Sequence, residues 1–81
     1  MPMTKRFEFR ECQVQRARVM FVNGEWPGTI PLAAGDQEAA LQSCPQEWDY
    51  LQHAGDDGWD LASAIGDVTN ARILYLRRER D

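Results

Sequence analysis

Residues 73–76, Ile73-Leu74-Tyr75-Leu76, form an apolar run with no polar position to turn toward water. The stretch from Ala71 to Arg78 reads as the last strand. Successive side chains of a strand point to opposite faces, so this run must be covered on both sides. A chain of 81 residues has little to cover it with, because by surface scaling it buries only about 63% of its unfolded surface. One face can pack under a helix. The other needs the N-terminal strands folded over it, or a second subunit. Two-fold dimers are the commonest oligomers. The expectation is therefore a homodimer or other homo-oligomer, with the last strand and the N-terminal strands at the interface.

The rest of the chain supplies one modest core. Phe7 and Phe9 alternate with Glu8 and Arg10, the period of a half-buried strand. Cys12 and Val14 continue in the opposite phase, which predicts a bulge or break near Arg10–Glu11. Arg18–Val22 is a second strand-like run, closed by Asn23-Gly24, a two-residue hairpin signal. Its return arm, Glu25-Trp26, stops at Pro27-Gly28, so the hairpin is very short, and residues 27–36 read as loop. Asp36 caps a short turn through Leu41. Ser43 stands three residues before Gln46 with Pro45 between them, a capping-box pattern that predicts a helix start there. Leu41, Cys44, Trp48 and Leu51 are spaced 3, 4 and 3 apart, one apolar stripe at helical period. Gly55 is placed to end that helix, and Asp56-Asp57-Gly58 to turn the chain. A strand from Trp59 through Ile65 and a connection over residues 66–70 lead to the last strand. The predicted fold is α+β: one domain over residues 1–81, an antiparallel sheet of three to four strands on one main helix. Trp48, Trp59 and Leu61 are expected in its core.

Three segments carry a resemblance. Glu47-Trp48-Asp49-Tyr50-Leu51, Gly55-Asp56-Asp57-Gly58-Trp59-Asp60-Leu61 and Leu74-Tyr75-Leu76-Arg77-Arg78 resemble a small bacterial and phage domain-of-unknown-function family. Its signature is Leu-x-x-x-Gly-x-x-Gly-Trp-Glu-Leu on a helix end and strand start, followed by a strand closing on an apolar run with Lys-Arg. The resemblance covers residues 47–78 well and the first 45 loosely, and Asp60 stands where the family has Glu. It implies an architecture, a bacterial setting and no known chemistry.

The net charge of −4 conceals a segregation. All nine cationic residues lie in residues 1–18 and 72–81, while residues 19–71 hold nine acids and no Lys or Arg. This layout predicts basic strands beside an acidic helical segment, and admits an acidic protein partner or another copy meeting the Arg-bearing strands. Assembly of that kind is steered by charge and weakens with added salt. A net acidic chain is a poor match for nucleic acid, whose binding relies on a dense positive field. The N-terminal segment has no apolar leader pattern. The longest uncharged stretch, Trp26–Gly35, is interrupted by Pro and Gly and far too short to span a bilayer. Cys12 and Cys44 read as reduced thiols, so a cytoplasmic location is expected.

Signals for chemistry are few. His53 follows Asp49 by four residues, so the imidazole and the carboxylate share a helix face. The pair is suited to general acid–base work, with Cys12 or Cys44 as a thiol nucleophile; an exposed histidine in the last helical turn is the simpler account. Asp56, Asp57 and Asp60 do not follow the alternating spacing of a calcium loop. No metal or cofactor is expected. Trp26, in a loop, is either a lid on the core or an anchor for a partner. The candidate binding residues are Trp26, His53, Arg72, Arg77 and Arg78. The expected function is a non-enzymatic binding or assembly module that self-associates; the alternative is a small enzyme or small-ligand sensor using His53 with nearby carboxylates.

Overall fold

The structure, a computed structural model, describes residues 4–66 and 71–80. The predicted connection after Gly66 lies outside the described residues. The elements in chain order are β1 (Arg6–Gln15), β2 (Arg18–Val22), a 3₁₀ turn (Leu32–Ala34), α1 (Gln37–Gln42), α2 (Glu47–Asp56), β3 (Asp60–Gly66) and β4 (Ala71–Arg80). The strands form one antiparallel sheet in the order β2-β1-β4-β3. The fold is α+β, with two helices of six and ten residues.

The two basic terminal segments pair with each other. β1 and β4 run in register over ten pairs, from Arg6–Arg80 to Gln15–Ala71. The break expected near Arg10–Glu11 is therefore absent. Instead β1 is one strand whose apolar residues change face: Cys12 and Val14 are buried, whereas Phe7 and Phe9 point to the opposite side and are exposed. The bulges lie elsewhere, at Met20 in β2 and at Ala62 in β3. β1 joins β2 through Arg16 and Ala17, both at positive φ (52° and 60°), as a two-residue hairpin turn requires. Neither residue type announces such a turn. Asn23-Gly24 does, and the short hairpin is there: Val22 and Glu25 exchange backbone hydrogen bonds of 2.8 and 3.0 Å.

Helix α1 is capped as expected, with Asp36 accepting from the Ala39 N–H. The capping box at Ser43 does not form. Helix α2 starts at Glu47 and takes Gln46 as N-cap without a side-chain bond. Ser43 ends α1, its hydroxyl donating to the Ala40 carbonyl and accepting from the Ile30 N–H. Pro45 lies outside the helix because its carbonyl is taken by the Val19 N–H of β2. The predicted stripe is split, with Leu41 in α1 and Cys44 between the helices, so neither sets the buried face of α2. Glu47, Tyr50, Leu51 and Ala54 share the side turned to the sheet, and Trp48, about 100° further round, is 74% exposed.

The helix runs to Asp56, and its closing glycine is Gly58, three residues beyond Gly55. Trp59 N–H donates to the Ala54 carbonyl and Gly58 N–H to that of Gly55, a Schellman closure with Gly58 at φ 91°. That closure drops Trp59 against Ala54, and Trp59 is 8% exposed. Leu61, two residues on, is 57% exposed because it reaches the sheet's edge beyond the helix. The core is Cys12, Val14, Val19, Ala54, Trp59, Leu74 and Leu76, with Val22, Tyr50 and Leu51 packed around it. The N-terminal strands lie beside the apolar run of β4, not over it. Leu74 and Leu76 face the helix; among the described residues, no element covers Ile73 and Tyr75 on the other side.

Candidate functional site

The uncovered sheet face is built by register. Paired residues share a face, so Phe7, Phe9, Glu11 and Gln13 of β1 lie level with Glu79, Arg77, Tyr75 and Ile73 of β4. Ser63 and Ile65 of β3 pair with Tyr75 and Ile73, and Phe21 of β2 pairs with Gln13. Phe9 is 64% and Ile65 58% exposed. At the β2 end, a shallow hollow of about 350 Å³ crosses all four strands, lined by Gln13, Gln15, Met20, Phe21, Ile65 and Ile73. At the other end the Arg77 guanidinium sits 5.1 Å from the Phe7 ring centre.

On the helix side, the arginines of the terminal strands hold the acidic middle of the same chain. Arg72 makes a two-point ion pair with Glu47 at the start of α2, which raises its pKa further. Arg78 pairs with Glu8 and donates to the Asp57 carbonyl at 2.9 Å. Arg10 donates to the Tyr50 hydroxyl at 2.8 Å. The Arg10 and Arg78 guanidiniums lie 4.3 and 4.6 Å from the Trp59 ring centre, close enough for cation–π attraction. Arg18 donates to the Gln42 and Cys44 carbonyls and ties the end of α1 to β2. Arg72 and Glu47 thus join the basic and acidic segments by charge within one molecule, and the other arginines reach the middle of the chain through neutral oxygens and the Trp59 ring.

The candidate residues are not brought together. Trp26 donates to the Ile30 carbonyl at 2.9 Å and stands edge-on to Phe21 at 5.6 Å, so it is half-buried and held by its own loop. A Cβ on Gly28 would come within 2.7 Å of the Trp26 indole nitrogen and 2.5 Å of the Ser43 hydroxyl, so only glycine permits this approach. His53 is exposed on α2, and its Nδ1 lies 2.8 Å from the Asp49 backbone oxygen, not from a carboxylate. Arg72 and Arg78 are engaged in the pairs above. Arg77 alone of the five is exposed on the uncovered face.

The two thiols are buried and free. Burial pushes both upward in pKa, and burial does the same to Tyr50 beside Cys12. Neither is thereby primed as a nucleophile, which must ionise to react. Among the described residues, no three His, Cys, Asp or Glu side chains converge on a point suited to a metal ion. None of their helices is long and apolar enough to cross a membrane.

Reading the sequence missed Phe7, Phe9, Phe21 and Ile65 as site residues. The signal was the change of phase along β1, which marks apolar residues on both faces of a strand. Compared with models of known protein families, with curated proteins and with solved structures, the chain has no match.

Proposed function

We propose that this chain is a non-enzymatic binding or assembly module that self-associates, with the uncovered side of its sheet as the working surface. The observation that carries this reading is the exposure of Phe9 and Ile65 on a face that no described element covers. The total surface points the same way. The chain exposes 6040 Å², against about 5,000 Å² for a monomeric protein of its mass. The excess of about 1,000 Å² is that of an elongated sheet with one face left uncovered. His53 bonded to backbone and two buried thiols favour this reading over the enzyme or sensor. We place the protein in a reducing bacterial cytoplasm, which suits two free cysteines and the resemblance of residues 47–78. That resemblance bears on architecture alone.

Sedimentation velocity over micromolar concentrations tests the proposal. The expected result is a dimer or higher species, with Ile65→Lys, on the uncovered face at β3, shifted toward monomer while its circular dichroism stays unchanged. A wild-type chain that sediments as a monomer throughout overturns it.

A further inference from the structure

The sheet has two edges, and the chain treats them differently. The outer edge of β2 is closed by the molecule itself. Val19 N–H donates to the Pro45 carbonyl, Glu47 N–H to that of Ala17, and Val22 bonds Glu25 in both directions. Arg18 and Gln46 form a further bridge there. The outer edge of β3 has no such closure among the described residues: β3 pairs with β4 alone, and all seven of its residues are exposed. Its sequence from Leu61 to Gly66 carries no charge and no proline, the usual devices that keep an open edge unpaired. The bulge at Ala62 leaves Ser63–Gly66 as regular strand.

We infer that the β3 edge is a strand-pairing site whose occupant is β3 of a second copy, running antiparallel and joining two sheets into one of eight strands. The inference rests on the self-association reading and names its contact. Several observations select a second copy. Asp60 is the only charge on the strand; antiparallel pairing sets the two Asp60 residues at opposite ends, whereas parallel pairing would place them side by side. A two-fold axis close to Ala64 puts Ser63 of each copy beside Ile65 of the other on the uncovered face, so the two apolar faces become continuous. On the helix side an apolar hollow of about 330 Å³ borders the edge, lined by Leu51, Leu61, Ala64 and Leu74. The outer edge of β1 from Arg6 to Arg10, which β2 does not reach, carries Arg6, Glu8 and Arg10, charges of the kind that keep an open edge unpaired. With the β2 edge closed as well, pairing is directed to β3 and ends at a closed dimer instead of growing into a fibre.

Amide hydrogen exchange on the full chain, read at rising protein concentration beside sedimentation, tests this. The expected result is that β3 amides gain protection with concentration, and that Ala64→Lys weakens association about tenfold or more with folding intact by circular dichroism. Leu61→Lys serves where Ala64→Lys fails to fold. If the protein associates while β3 amides stay unprotected and both lysine variants associate normally, the edge pairing is overturned and the self-association reading stands. A monomer at all concentrations overturns both. Protection that appears only when an extended foreign peptide is added overturns the second copy as occupant.

Discussion

The indole at position 59 is nearly closed from water, while the one at position 48 is open to it. Trp59 is held by the backbone bond to Ala54 and flanked by two guanidiniums. Trp59→Ala is therefore expected to cost about 3–5 kcal/mol in urea unfolding, through lost burial and the cavity it leaves. Trp48→Ala should change stability by no more than about 0.5 kcal/mol; a loss near that of Trp59 would mean that Trp48 is packed. The buried thiol and phenol give a second expectation. Burial holds Cys12 and Tyr50 above their ordinary pKa, so the folded state keeps these protons more tightly than the unfolded chain does. Their contribution is complete below the ordinary thiol pKa and is lost as pH rises through the higher folded values. Unfolding free energy should fall above about pH 9, where an ordinary thiol ionises. Cys12→Ala should flatten that fall; an unchanged slope in the variant contradicts the assignment.

Among the elements, the turn between β1 and β2 is the one whose residues fit it least. Arg16 and Ala17 occupy left-handed conformations that L side chains with a Cβ adopt at a cost. Replacing the pair by Asn-Gly, the residues such a turn prefers, should raise stability by about 1 kcal/mol, read as a higher urea midpoint. A lower midpoint would show that the Arg16 side chain contributes more than the strain removes. The same turn shows how far the sequence could be read. The strand runs, the Asn23-Gly24 hairpin and the Asp36 cap were legible because each rests on a local preference. The sheet order was not, since it depends on pairing β1 with β4 across most of the chain. Ser43 misled because the Ala40 and Ile30 backbone groups compete for its hydroxyl. Trp48 misled because residues 43–46 are not helical, so Leu41 and Cys44 do not share a helix with Trp48 and do not fix which face of α2 is buried. The apolar run of β4 was the most informative stretch: its need for two-sided cover was legible, and the chain itself provides one side.

For the whole molecule, the extents are 56 × 24 × 20 Å and the radius of gyration is 14.5 Å, against about 12 Å for a compact domain of this length. The shape follows from β1 and β4 outrunning their neighbours, since β2 and β3 flank only part of the central pair. A protein with so much surface should gain stability from its own concentration. Its thermal midpoint is expected to rise across micromolar concentrations, by mass action on the associated folded state; a constant midpoint would mean that association contributes nothing to folding. The ten-pair ladder between β1 and β4 has a further consequence, for the order of synthesis. Strand β1 leaves the ribosome first, yet its long partner is separated from it by every other element of the fold. Until β4 is made, β1 has only the short β2 to pair with, and the core lacks Leu74 and Leu76. Such non-local pairing makes folding slow and late. The nascent chain waits with Phe7 and Phe9 on an unpaired strand, so the period before β4 emerges is when it most needs shielding from its neighbours.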